Sequence, residues 1–215
     1  YTKEQLATAF QNEYEYLIHD DFDPDEDMSA VEHLEWTKTL SANELKVEIK
    51  ESIDTENLTF FHLGAMNWKP NLEAVGWLTK DIWPTIVSAF PNFKLHLAGK
   101  NMPQWIINNK NQGIKNHQEV DSAIDFMNEY DIMLVPLLSA GGIRVKIIEG
   151  MALGKVIIST RIGAEGIDYE EGINLLIANT PIEFKNKIKW LKNNPEKIKE
   201  IGNNAKNYVT NQYDN

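Results

Sequence analysis

Two patterns of hydrophobic and polar positions divide this chain near residue 58. Residues 1–57 carry apolar side chains at helical spacing, starting with Leu6, Phe10 and Tyr14, and an acidic turn at 20–27 interrupts them. From residue 58 onward, short apolar runs alternate with longer amphipathic stretches. Apolar residues three or four apart indicate helices, and short continuous apolar runs indicate buried strands. The pattern predicts an acidic helical segment followed by an α/β domain.

The second region, residues 58–215, has a regular order of predicted elements. Strands are expected at 58–63, 94–98, 114–117, 132–135, 156–159 and 174–178. Helices are expected at 71–89 with a bend at Pro84, at 103–109, at 121–130 with Asp121 as cap, at 143–153, at 181–193 and at 195–209. Apolar strands that alternate with amphipathic helices are typical of a parallel sheet covered on both faces. The predicted fold is a Rossmann-like, doubly wound parallel sheet.

Glycines follow three of the predicted strands. Gly64 and Gly99 come directly after the first two, and the pair Gly141 and Gly142 ends the loop after the fourth. Parallel sheets bind ligands outside the carboxyl ends of their strands. A glycine at that edge lets the backbone approach a ligand closely, although it is also a common turn residue. The repetition predicts a ligand site there.

The segment 135–167 indicates what that ligand is. Gly141 and Gly142 precede a predicted helix, whose first turn exposes unpaired N–H groups and the positive end of the helix dipole. Arg144 and Lys146 add full positive charges, so the segment predicts a diphosphate site. Arg144 is expected in a loop-like entry to the helix, because a regular helix would direct it to the core. Glu149 shares a helix face with Lys146, and the alternative for these two is a surface ion pair.

Charge and composition exclude several classes of function. The 215 residues carry a net charge of −11, of which residues 1–57 hold 16 acidic and 4 basic side chains. No basic stripe suited to nucleic acid is present. Cysteine is absent, which excludes thiolate metal sites and is compatible with the cytoplasm. Alternating aspartates at 21–27 lack the glycine of a calcium loop and favour a solvated turn. The prediction is therefore no metal and no transmembrane segment.

The segments GGIRVK, GMALGK and STRIGAEGI resemble the donor-binding motif of group 1 glycosyltransferases with the GT-B architecture. The similarity extends upstream to FFHLGAMNWKPNLEAVGWL and LHLAGK, and covers roughly residues 58–210. The resemblance implies that residues 58–215 are the nucleotide-sugar-binding domain of such an enzyme. Residues 1–57 show no pattern of that family and are an appendage, a linker or a segment of other origin.

The resemblance also implies roles for individual residues. Arg144 and Lys146 match the basic positions that bind the diphosphate, and Glu149 matches the glutamate that binds the ribose. The family's other glutamate, which contacts the transferred sugar, falls at Gly141, so the sugar contact stays open. Further donor-binding positions implied by the resemblance are Gly64, Asn67, Lys100, His117, Val120, Gly141, Gly142 and Glu165. His62, His96 and His117 lie in or beside predicted strands, which favours structural roles.

The resemblance implies a UDP- or GDP-sugar as donor substrate, with no cofactor. Relatives bind the acceptor with a separate N-terminal domain that this chain is too short to contain, so donor binding without transfer is expected from it alone. A role in polysaccharide biosynthesis, a cytoplasmic location and peripheral membrane association of the full-length protein are further expectations. Three alternatives stay open: a sugar-nucleotide epimerase of the same architecture, a receiver-like signalling domain and a scaffolding module. A receiver needs an aspartate at a strand end, where this sequence has VPLL.

Overall fold

The structure is a computed structural model that describes residues 53–139 and 144–213. Nearly all of the acidic segment 1–57, including its turn at 20–27, lies outside the described residues. Gly141 and Gly142 also lie outside them. The predictions made for these positions therefore stay predictions.

The described part of the chain forms a parallel sheet of six strands. They are β1 (Thr59–Leu63), β2 (Lys94–Ala98), β3 (Ile114–Gln118), β4 (Ile132–Val135), β5 (Val156–Ser159) and β6 (Leu176–Ile177). Their order is β3-β2-β1-β4-β5-β6, and every paired neighbour is parallel. The chain builds outward from β1 in one direction and then from β4 in the other, so the order reverses between these two strands. The predicted doubly wound fold is confirmed.

Helices cover both faces of the sheet. They are α1 (Lys69–Trp77), α2 (Trp83–Ala89), α3 (Gln104–Ile107), α4 (Ala123–Glu129), α5 (Val145–Ala152), α6 (Pro181–Asn193) and α7 (Pro195–Tyr213). A π-helical turn, Leu78–Ile82, joins α1 to α2 directly before Pro84. Proline has no N–H and clashes with the carbonyl four residues earlier, which explains why the predicted bend takes this form.

Several predicted boundaries are wrong by a few residues. Ser122, and not Asp121, caps α4, because its backbone is extended and its Oγ accepts the Asp125 N–H at 3.2 Å. Helix α5 begins at Val145 instead of 143. The predicted strand 174–178 keeps only Leu176–Ile177, since Asn174 accepts the N–H of Glu170 and closes a turn. Helix α7 continues past 209 to Tyr213.

The core has two layers, one on each face of the sheet. Adjacent residues of β1 point to opposite layers: Phe60 packs with Trp83 and Phe93, and Phe61 packs with Phe126. Strands β1, β2, β4 and β5 are buried along most of their length, which explains why they are mainly apolar in the sequence, whereas the edge strand β3 is largely exposed and polar. The helices leave the carboxyl edge of the strands to loops, and this edge holds the candidate site.

Candidate functional site

The sheet opens at the carboxyl ends of β1 and β4. Pairing between β1 and β2 covers five positions and pairing between β4 and β5 covers four, reaching the end of each strand. Pairing between β1 and β4 covers only two, Phe60 with Ile132 and Phe61 with Met133. The two strands therefore separate where the strand order reverses, which is where open parallel sheets bind ligands.

Gly64 and Gly99 stand at this edge as predicted, and each allows a close approach of backbone. The Gly64 N–H donates to the Ala98 carbonyl at 3.1 Å, and Gly99 has a φ of 151°. A Cβ added to Gly99 would lie 1.9 Å from the carbonyl oxygen of Gly64. The loops after β1 and β2 therefore pack directly on each other, which requires glycine at position 99.

Lys146 reaches the same place from α5. Its ammonium donates to the Leu63 carbonyl at 3.2 Å and to Asn71 Oδ1, while Asn71 Nδ2 donates to the Ala65 carbonyl at 3.0 Å. Asn71 is 5% exposed. Sequence analysis missed it, although a signal exists: it takes the place of an apolar residue on the buried stripe of α1, three residues before Ala74. Asn71 and Lys146 together connect the starts of α1 and α5 to the end of β1.

Arg144 is the N-cap of α5, with extended backbone (φ −83°, ψ 93°), so the predicted loop-like entry is confirmed. Its side chain is nevertheless buried, at 2% exposure, and its guanidinium lies 5.0 Å from the centroid of the Trp68 ring. A cation over an aromatic face is stabilised by the ring quadrupole. Trp68, which sequence analysis did not single out, thus holds a positive charge beside the N-terminus of α5.

Glu149 lies one turn further along α5 and is also buried, at 2% exposure. The alternative of a surface ion pair with Lys146 is wrong, because Glu149 is not on the surface. The helix packs against both the sheet and α7, so that Ile147, Ile148 and Met151 are buried with it. A buried carboxylate and a buried guanidinium on one short helix are costly to desolvate, which makes this helix unlike the others in the described chain.

His62 lies beside the gap between β1 and β4. It is fully buried, and its Nδ1 is 2.8 Å from the Leu134 carbonyl oxygen, so Nδ1 carries the proton and donates. Burial first, and then the nearby charge of Lys146, lower the pKa of His62 to about 3. His62 Nε2 has no hydrogen-bond partner among the described residues. The ring is neutral at physiological pH and bridges the two strands.

His117 sits on an irregularity of the edge strand β3. Leu97 pairs with Asn116 and Ala98 pairs with Gln118, so His117 is the extra residue of a β-bulge. Its Nε2 lies 2.9 Å from Nδ1 of His96 and 3.4 Å from the Tyr130 hydroxyl.

The two histidines are held neutral by their surroundings. Burial, followed by the proximity of His117, lowers the pKa of His96 to about 4, and burial also lowers the pKa of His117. The predicted contact of His117 with a base stays a prediction.

The other predicted donor-binding residues lie at the same edge of the sheet. Asn67 is exposed in the turn after β1, Val120 is half-buried after β3, and Glu165 is exposed in the turn after β5. Lys100 follows β2, and its ammonium lies 3.4 Å from the carboxylate of Glu119 in a pair open to solvent. The fold brings these positions to one edge, as the strand pattern predicts, while their contacts with a donor stay predictions.

The loop after β4 is held from both sides. Thr160 Oγ1 donates to the Leu137 carbonyl at 2.6 Å, and Ser139 Oγ donates to the Glu73 carboxylate at 3.0 Å. The Gly163 N–H in turn donates to Thr160 Oγ1 at 2.9 Å. These hydrogen bonds join the loop to β5 and to α1. Single-sequence patterns carry no signal for the first two, because their partners are 23 and 66 positions apart along the chain.

In residues 53–139 and 144–213, no group of three or more histidine, aspartate or glutamate side chains could hold a metal ion. Within the same ranges, no helix has both the length and the apolar character needed to cross a bilayer.

Two known proteins are similar to this chain in sequence. It is 26% identical over 176 residues to an uncharacterized 44.6 kDa protein in the cps region of Klebsiella pneumoniae, covering 76% of this chain and 45% of that protein. It is 35% identical over 124 residues to an uncharacterized glycosyltransferase, MJ1178, of Methanocaldococcus jannaschii, covering 54% of this chain and 35% of that protein. The chain thus spans less than half the length of these relatives.

Solved structures agree with the fold. The chain superposes on a mutant of TarM from S. aureus, crystallised with fondaparinux, alpha-GlcNAc-glycerol and UDP, with a TM-score of 0.63. The two are 15% identical, and the match covers 79% of this chain and 35% of TarM. The sequence profile described as glycosyl transferases group 1 matches residues 57–194. With the profile covering more than half of its length, this chain belongs to the group 1 glycosyltransferases.

Proposed function

We propose that residues 58–215 bind the diphosphate of a UDP- or GDP-sugar in the crevice between β1 and β4, in support of transfer of the sugar to an acceptor. The observation that carries the proposal is a pair of cationic side chains at that crevice. Arg144 is buried at the N-terminus of α5, and the Lys146 ammonium lies at the end of β1. Family membership supports it, and TarM, which has the same fold, was crystallised with UDP.

Glycosyl transfer breaks the bond between the anomeric carbon and the diphosphate and forms a bond to an acceptor oxygen, whose proton is lost. Negative charge grows on the leaving phosphate. Fixed cations and N–H dipoles stabilise that charge, and preorganised electrostatics of this kind is often the largest catalytic term. In the proposal Arg144 and Lys146, with the backbone N–H groups of Gly141 and Gly142, perform this task without a cofactor or a metal ion.

The remaining roles in the proposal are those that the family resemblance implies. Glu149 binds the ribose hydroxyls, and the backbone near His117 and Val120 holds the base. Gly64, Asn67, Lys100 and Glu165 line the same edge. The acceptor is held by another part of the protein, so this chain alone binds a donor without transferring the sugar. The proposal includes a role in polysaccharide biosynthesis. Family membership removes the receiver-like alternative.

Isothermal titration calorimetry with UDP, GDP and ADP tests the proposal. Arg144→Ala should weaken every nucleoside diphosphate, and inorganic pyrophosphate too, by about 10- to 100-fold, since hydrogen bonds to charged groups contribute about 1.5–3 kcal/mol. Glu149→Ala should weaken only the nucleotides, because pyrophosphate has no ribose.

Lys155→Ala is the matched control. Its ammonium donates to the carbonyls of Asn128 and Tyr130 at the opposite edge of the sheet. This variant should bind every probe as the unsubstituted chain does. If all three variants bound every probe as tightly as the unsubstituted chain does, the binding site would lie elsewhere.

A further inference from the structure

Two side chains cross the gap that the strands leave open. Pairing between β1 and β4 ends two residues before either strand does. Beyond that point, His62 of β1 donates from Nδ1 to the Leu134 carbonyl of β4. In the opposite direction, Lys146, from the helix that follows β4, donates to the Leu63 carbonyl of β1. The separation of the strands is therefore set by side chains and not by a backbone ladder.

His62 is chemically suited to this task because it stays neutral. A charged imidazole would be unfavourable in a fully buried position near the Lys146 ammonium, and these two causes lower its pKa to about 3. A neutral ring has one N–H, and the carbonyl at 2.8 Å requires that it be on Nδ1. The donor is thus permanently present at Nδ1 over the physiological range of pH.

The sequence context makes a histidine at this position unusual. Phe60 and Phe61 precede it, and all three are completely buried. Burying a polar group costs free energy unless it is hydrogen-bonded, so an apolar residue would be cheaper if only packing mattered. With an apolar side chain at position 62, however, the Leu134 carbonyl would lose its bond to the imidazole. The histidine serves the spacing of the two strands.

We infer that His62 is a positioning residue of the proposed donor site: its Nδ1–H fixes the end of β4 relative to β1. The inference rests on the proposed function. Binding groups must be held to well below 1 Å to act together, so a shift of β4 would weaken the grip of Arg144 and Lys146 on a diphosphate. His62 itself need not touch the ligand.

Two amide variants separate this role from simple packing. Asn at position 62 places its NH₂ near the site of Nδ1 and keeps a donor for Leu134, whereas Gln places its amide near the site of Nε2 and loses that donor. In titrations of the 215-residue chain with UDP and GDP, His62→Asn should bind within about threefold of the unsubstituted chain. His62→Gln should bind about tenfold more weakly, which corresponds to about 1.4 kcal/mol.

A buried substitution remote from the gap controls for stability. Ile188 is a buried residue of α6. Ile188→Val should lower the free energy of unfolding and leave the affinity for UDP and GDP unchanged. Equal affinities of His62→Asn and His62→Gln, or a loss for Ile188→Val as large as that for His62→Gln, would overturn the inference.

Two ligand-free measurements keep the inference separate from the proposed function. Nitrogen-15 spectra of the imidazole should show His62 protonated at Nδ1 from about pH 5 to about pH 8. Amide exchange in residues 137–139, which follow Pro136, should be faster in His62→Gln than in His62→Asn. If no nucleotide binds to the unsubstituted chain, the proposed function fails. The two ligand-free results would still decide whether His62 holds the end of β4 in place. Protonation at Nε2, or equal exchange in the two variants, would overturn it.

Discussion

The two ends of the parallel sheet hold their polar groups differently. At the amino end, Asp131 accepts from the Thr59 N–H at 2.9 Å and from its hydroxyl at 2.6 Å, and Lys155 caps the carbonyls before β4. These groups are only partly buried. The carboxyl end instead buries polar side chains almost completely: His62, Asn71, Arg144, Glu149, Ser159 and Thr160.

This difference separates what stabilises the fold from what serves a ligand. Partly buried pairs close the amino end at little desolvation cost. Buried charges such as Arg144 and Glu149 are a weak source of stability, because removing them from water offsets most of their attraction. Proteins keep such arrangements where function requires them.

Gly99→Ala should have the largest effect, because the carboxyl end depends on close backbone contact. The added Cβ would meet the Gly64 carbonyl, and the residue has positive φ. We expect the free energy of unfolding in urea to fall by about 3 kcal/mol or more. Gly172→Ala is the control, since that residue also has positive φ but nothing lies within 4 Å of the added Cβ. It should cost about 1 kcal/mol, and equal losses would contradict the steric account.

Acid should destabilise the protein through its buried histidines. The pKa of His96 falls to about 4 and that of His62 to about 3 in the folded state, from 6.5. Below pH 6.5 the unfolded chain binds more protons than the folded one, so stability falls as pH drops from 6.5 toward 4. We expect a loss of about 2–3 kcal/mol in urea unfolding at about pH 5.5 relative to about pH 7.5, because each histidine contributes about 1.4 kcal/mol over one pH unit. His96→Gln should flatten the profile, and an unchanged slope would contradict the assignment.

Asn71→Ala and Asp131→Ala compare the two ends directly. Each removes a side chain that makes two hydrogen bonds, so each should lower the free energy of unfolding by about 1–2 kcal/mol. Of the two variants, only Asn71→Ala should also weaken nucleoside diphosphate binding, by about tenfold, because the Asn71 side chain accepts a hydrogen bond from Lys146. Calorimetry with UDP and GDP measures this difference. A matched loss of affinity in Asp131→Ala would show that the two ends are not separate in function.

Ser122→Ala should have a smaller effect on stability, and it tests which residue caps α4. Ser122 caps α4, so its loss should cost about 1 kcal/mol of unfolding free energy. Asp121→Ala, at the position that the sequence pattern favours, should change stability by less than about 0.5 kcal/mol. The opposite ranking would restore Asp121 as the cap.

Sequence patterns predicted the architecture well, for a physical reason. A strand buried on both faces is mainly apolar, and the short apolar runs of β2, β4 and β5 gave their limits as the structure has them. Caps and ends depend on single hydrogen bonds, such as that of Ser122, and small differences between neighbouring polar residues decide them. The corrections to α4 and β6 are of this kind.

The candidate site was predictable only in part. Arg144, Lys146 and Glu149 stand out in the sequence because glycines, charges and helix spacing are local features. Asn71 and Trp68 do not, since their importance comes from contacts with residues 75 and 76 positions away. The sequence shows His62 only as a histidine in a predicted strand. Its role could not be predicted, because its partner Leu134 is 72 positions away.

The alternation of strands and helices, the parallel sheet and the charged loops follow from the amino-acid sequence, because they depend on periodicity and on neighbours along the chain. The separation of β1 and β4, the burial of Arg144 over Trp68 and the hydrogen bond of His62 across the gap arise from the folded arrangement. Hydrogen bonds and burial depend on distance in space. Residues distant in sequence meet only after the sheet has formed.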